Sequence, residues 1–98
     1  MTITREQKDR NLNIALEGRL DTLTAPDLQK ELNQIIPSAE ELVLDFTHLE
    51  YISSAGLRTL LAANREMSGK GGMKIVHASD IVREVFDVTG FSEIMNIE

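Results

Sequence analysis

Leu42-Val-Leu-Asp-Phe-Thr-His-Leu-Glu-Tyr-Ile-Ser-Ser-Ala-Gly-Leu-Arg58 changes its structural period part-way along. Leu42-Val-Leu is a short unbroken apolar run, the mark of a strand covered on both faces. Asp45 to Tyr51 loses that character and reads as a loop leading through Ile52 to Ser53. A helix then starts, with Leu57, Leu60, Leu61 and Met67 as its inward stripe and Gly69, Gly71 and Gly72 at its end. Strand, connection and helix follow one another directly, which is the building unit of an α/β sheet.

The same alternation extends in both directions. Upstream, Leu12, Ile14 and Leu16 recur with the period of two expected of a half-buried strand, ended by Gly18. Thr2 to Thr4 reads as a short strand around Ile3, and Arg5 to Arg10 as its hairpin connection. Between these strands and Leu42, Leu28, Leu32, Ile35 and Ile36 mark a helix that Pro37 stops. Thr24 is its expected cap, with Pro26 in the first turn and Asp27 as a capping-box acid. Downstream, Met73-Lys-Ile-Val is a strand, and Ser79 or Asp80 opens a helix carrying Ile81, Val82, Val85 and Phe86. Gly90 suits the left-handed position after that helix, and Ile94 to Ile97 reads as a last short strand. The order is β-β-α-β-α-β-α-(β). It predicts one small α/β domain over residues 1–98, with a mixed β-sheet whose first two strands pair antiparallel.

Composition removes several function classes. The chain has 98 residues, 42% hydrophobic and 27% charged, as expected for one globular domain. It has no Cys, so a disulfide framework, a thiolate metal site and a cysteine nucleophile are excluded. Its two histidines are too few for a His-rich metal cluster, and no metal or cofactor is expected. Sixteen acidic against ten basic residues give a net charge of −6 without clustered Lys or Arg. Nucleic acid and anionic membrane surfaces are therefore poor partners. No apolar run approaches the roughly 20 residues needed to span a bilayer, and a cytoplasmic location is expected. A protein partner fits the charge better.

Three constellations could carry chemistry. Ser53 or Ser54 with His48 or His77 would make a hydrolase, but Tyr51-Ile-Ser-Ser-Ala-Gly lacks the leading glycine of a nucleophile elbow. Asp45 could mimic a phospho-receiver aspartate, yet no acidic pair follows the early strands to hold Mg²⁺, so it reads as a strand-end or turn residue. The third is the pair Ser53-Ser54 itself. One serine suffices to cap a helix; two are more than a cap requires, and the small run Ser53-Ser-Ala-Gly56 leaves the backbone at the helix start accessible to another protein.

Tyr51-Ile-Ser-Ser-Ala-Gly-Leu-Arg58, preceded by Leu42-Val-Leu-Asp-Phe, resembles the signature of bacterial anti-sigma factor antagonists, the STAS-domain family. Gly18-Arg-Leu-Asp-Thr-Leu-Thr-Ala resembles the family's stretch ahead of the first helix. The run from Gly72-Met-Lys-Ile-Val through Val85-Phe-Asp-Val-Thr-Gly-Phe is similar to its closing pattern. The resemblance implies a sheet with helices mainly on one face and a function without catalysis. It implies binding to an anti-sigma factor that is also a serine kinase, which frees a sigma factor for transcription. Phosphorylation of one serine would end binding, and a serine phosphatase would restore it. Aligned on Gly56-Leu57, the acceptor is Ser54, with Ser53, where the best-known members commonly have Asp, as runner-up. Asp21 matches the aspartate beside the acceptor. The implied partner surface comprises Asp21, Thr22 and Thr24 with Ser53, Ser54, Ala55, Gly56, Leu57 and Arg58, on a chain expected to be a monomer. The alternative is a non-switching STAS subunit of a larger complex such as a lipid-transport ATPase.

Overall fold

The computed structural model describes residues 1–98. Strands β1 (Thr2–Lys8) and β2 (Asn11–Leu20) form a hairpin, followed by α1 (Ala25–Ile35) and β3 (Glu41–Ile52). Then come α2 (Ser54–Met67), β4 (Met73–Val76), α3 (Asp80–Thr89) and β5 (Asn96–Ile97). The sheet runs β1-β2-β3-β4-β5, antiparallel at β1/β2 and parallel thereafter. Sequential parallel strands joined by crossovers of one hand place successive helices on one face. The residues agree: Leu12, Ile14, Leu42, Leu44, Phe46 and Ile75 join the helices in one cluster of 25 buried residues. Asn13, Ala15, Val43, Asp45 and Val76 alternate with them on the opposite face, where none is fully buried. The mixed sheet is as the residue pattern predicts, and the helices lie on one face as the family resemblance implies.

The connection expected at Asp45–Tyr51 is instead the second half of β3. Buried positions along β3 are Leu42, Leu44 and Phe46, then Leu49 and Ile52, so the spacing lengthens from two to three. The register with β2 explains this. Between Ala15/Asp45 and Glu17/His48, and again between Gly18/Leu49 and Arg19/Tyr51, β3 uses one residue more than its partner. Each extra residue is a bulge, which turns the following side chains and breaks the period of two. A strand bulged twice does not look like one in sequence.

Four smaller readings are also corrected. β1 continues through Lys8 and the turn is only Asp9-Arg10, with Asp9 at φ 58°. Charged residues Arg5, Glu6 and Lys8 sit on an edge strand, where they stay in water and guard an open edge. Gly18, at φ +106°, lies within β2 beside the second bulge instead of ending the strand. Ile81 points outward and is 65% exposed, because Val82 and Phe86 take the inner face of α3. The closing strand shrinks to Asn96–Ile97, while Gly90 adopts the expected left-handed turn at φ 78°.

Candidate functional site

The C-terminal ends of β2 and β3 lie side by side, Leu20 against Ile52, and the Ser53 N–H donates to the Leu20 carbonyl at 2.9 Å. The segments leaving these strands, Asp21–Thr24 and Ser53–Ala55, are thereby held together. Parallel α/β sheets place ligands at this end of the strands. Between them runs a shallow open groove lined by Thr22, Pro26, Gln29, Ala55 and Arg58.

The two serines are not equivalent. Ser53, extended at φ −99° and ψ 174°, is the N-cap of α2, and its hydroxyl accepts from the Gly56 N–H at 3.3 Å. Ser54 is the first helical residue and is exposed, with no side-chain hydrogen bond. One hydroxyl closes the helix end and the other faces water beside unsatisfied first-turn N–H groups. Of the two hydroxyls, that of Ser54 is the one left free.

At α1 the expected capping is reversed. Thr24 occupies the N-cap position but makes no side-chain cap bond. Its hydroxyl donates to the Arg19 carbonyl at 2.7 Å and accepts from the Asp21 N–H at 2.9 Å. The Asp21 Oδ1 instead accepts from the Leu23 N–H at 3.0 Å and the Thr24 N–H at 3.1 Å, both in the turn that precedes the helix. The aspartate side chain closes this turn on the amides two and three residues ahead of it, as an Asx turn does.

Arg19 ties the loop to β3. Its guanidinium lies 4.2 Å from the centre of the Tyr51 ring, and its Nε is 3.8 Å from Asp21 Oδ2. Sequence reasoning passed over this Arg19–Tyr51 contact and over Leu23, which is 85% exposed beside Asp21. No sequence signal marks either, because Arg19 meets Tyr51 only through the bulged register. Thr22 and Arg58 are exposed, Asp21, Thr24, Ser53 and Ala55 half-buried, and Gly56 and Leu57 buried. Gly56 and Leu57 therefore position the helix start without offering surface. A Cβ on Gly56 would stand 2.7 Å from Leu20 Cγ and 3.1 Å from Ile52 Cγ1. Gly56→Ala is expected to cost about 1–3 kcal/mol by overpacking a buried leucine. Urea unfolding checks this, and an unchanged midpoint would show that α2 shifts freely.

Partial desolvation pulls the Asp21 carboxyl up, but hydrogen bonds from Thr24 and Leu23 and the nearby Arg19 hold it below the ordinary value of 3.8. The Asp45 carboxyl is lowered mainly by the Thr47 hydroxyl, against some desolvation, with help from the Thr47 N–H, His77 and His48. Both groups bind protons more weakly folded than unfolded. Their contribution is complete above the unfolded value, near pH 4 and upward, and disappears as pH falls through the lowered folded values. Stability should therefore decline below about pH 4, and the Asp21→Asn/Asp45→Asn double variant should decline less steeply. Urea midpoints at pH 3 and pH 7 test this; parallel declines would refute it.

Neither histidine hydrogen-bonds to a serine: His48 lies within β3, in register with Glu17, and His77 follows β4. No group of three or more His, Asp or Glu residues is placed to hold a metal ion, and no helix is long and apolar enough to cross a membrane.

The family model of the Mlab-type STAS domain matches residues 3–96. The chain belongs to the STAS-domain family. It is 35% identical, over 99% of its length and 85% of the relative's, to BtrV of Bordetella bronchiseptica, named as a candidate anti-sigma factor antagonist. An anti-sigma factor antagonist from Mycobacterium paratuberculosis has a similar fold, with TM-score 0.89 at 24% identity, covering 98% of this chain and 83% of that one. The anti-sigma factor antagonist SpoIIAA in its unphosphorylated form gives TM-score 0.84 at 22% identity, covering 99% and 88%. This STAS chain thus presents two loops and one free serine at the strand ends of its sheet.

Proposed function

We propose that this STAS domain, spanning residues 1–98, is an anti-sigma factor antagonist switched by phosphorylation of Ser54. The observation that carries the reading is the division of labour at α2: Ser53 is engaged as the cap, while Ser54 is exposed and unbonded. Unphosphorylated, the domain docks an anti-sigma factor with serine kinase activity and so releases a sigma factor in the cytoplasm. Arg58, Thr22 and the Asp21 loop surround the acceptor and form the docking surface. A serine phosphatase resets the switch. The domain is a binding module, not an enzyme, and works as a monomer.

Phosphate would add about −1.5 to −2 charges at one point of a chain already at −6. The helix start tolerates that charge in water, since its dipole favours an anion by roughly 0.3–1 kcal/mol and screening weakens repulsion from Asp21. A docked partner removes the water.

Incubation with the cognate kinase and ATP, followed by intact-mass measurement and peptide mapping, tests the assignment. One added phosphate on Ser54 is expected. A phosphate on Ser53 would move the acceptor, and an unmodified chain that still binds its complex would favour the non-switching subunit.

A further inference from the structure

α3 carries an exposed acidic row and, beside it, an apolar row that the core covers only at its middle residue, Val85. Ile81, Val85 and Val88 follow one another at i, i+4 and i+7, and so do Asp80, Glu84 and Asp87 one position earlier. The helix is anchored to the sheet by Val82 and Phe86, both fully buried, with Phe86 stacked on Phe46 at 6.4 Å. Ile81 remains 65% and Val88 80% exposed, with Val85 half-buried between them. Single exposed apolar residues are ordinary; three aligned on one helix form a stripe. All three acids beside it are exposed, and the ion pairs of the molecule, Arg5–Glu31, Arg19–Asp21 and Lys74–Glu98, leave them without a cation. At the N-terminal end of the stripe, Ile81 borders an open groove with Glu17 and Glu50, both exposed and likewise unpaired.

We propose that this face of α3 is a second docking surface, and that its occupant is a basic amphipathic helix of a partner protein. An apolar row on that helix would cover Ile81, Val85 and Val88, as amphipathic helices do when they dock by anchors at i, i+4 and i+7. Its flanking Lys or Arg residues would meet Asp80, Glu84 and Asp87, with one reaching Glu17 and Glu50. The uncompensated acidic row selects this partner. A second copy of the chain would bring its own acids against these, and an anionic lipid surface would be repelled in the same way. The surface contains none of the residues around Ser54, so it stands or falls apart from the phosphorylation reading.

The test uses the full chain, isotope-labelled, titrated with two synthetic helical peptides. Both carry leucines at i, i+4 and i+7; one is flanked by lysines and the other, otherwise identical, by glutamates. The lysine peptide is expected to shift the amides of residues 80–88 and of Glu17 and Glu50. Ile81→Ser/Val88→Ser, which changes only exposed side chains, should weaken it about tenfold or more with an unchanged melt, and raised salt should weaken it further. Equal binding of the glutamate peptide, or shifts located away from α3, would overturn the proposal. So would concentration-dependent dimerisation of the chain lost in the double variant, or binding of zwitterionic vesicles through the same stripe, since either would assign another occupant.

Discussion

Ser54→Ala is expected to hold the anti-sigma partner under conditions where the phosphorylated wild-type chain has released it, a difference of about a hundredfold or more in Kd. The argument is one of desolvation. Ser54 is exposed in the free chain, so a phosphate there keeps its water. Docking a surface over it buries the charge, and an unpaired buried charge costs several kcal/mol, with each 1.4 kcal/mol a factor of ten. Asp21 adds to the cost, because its carboxylate, ionised at neutral pH like any ordinary aspartate, stands on the neighbouring loop. Ser54→Asp should fall between the two forms, since one carboxylate carries less charge than a phosphate. Calorimetry on the three forms decides the matter: equal affinities would remove electrostatics from the switch. The free forms should melt within several degrees of each other, since the change at the helix start is local. Amide shifts spread through the strands, instead of confined to α2 and the Asp21 loop, would show that the switch works by refolding.

The largest effect on stability is expected at Phe46. Its ring is fully buried and lies 6.4 Å from that of Phe86 in a stacked arrangement. It also follows the last β3 residue that pairs with β4, so beyond it β3 relies on β2 alone within the sheet and on α3 above. Phe46→Ala removes the stacked ring contact between this half-supported strand and α3. Large-to-small substitution of a buried Phe costs about 3–5 kcal/mol. A fall of more than about 10 °C in Tm follows for a domain of this size. The site should loosen with it, because Leu49 and Ile52 of the same half-strand lead directly into the Ser53 cap. Thermal melts give the first effect, and faster amide exchange at Ser54–Leu57 gives the second. A melt within 3 °C of wild type would show that α3 repacks into the space.

Local residue patterns carry the helices, the central strands and the serine pair at the start of α2. The stripe Leu28, Leu32, Ile35 marks α1, the run Leu42-Val-Leu marks the buried start of β3, and Ser53-Ser-Ala-Gly marks a helix start with a hydroxyl to spare. These features are legible because helix periodicity, capping and sheet burial depend on residues a few positions apart. Other features depend on contacts that sequence spacing does not encode. β3 continues through Asp45–Tyr51 because its register with β2 absorbs two extra residues, and only the partner strand reveals them. Asp21 closes the turn ahead of α1 on the Leu23 and Thr24 amides while the Thr24 hydroxyl turns back to Arg19, a choice set by where β2 ends. Arg19 reaches Tyr51 across the bulge, and Ile81 turns to solvent once Val82 and Phe86 have taken the core. Which of two adjacent serines stays free was decided the same way: the carbonyl of Leu20 fixes the Ser53 backbone, that backbone aims the Ser53 hydroxyl at Gly56, and Ser54 is left facing water.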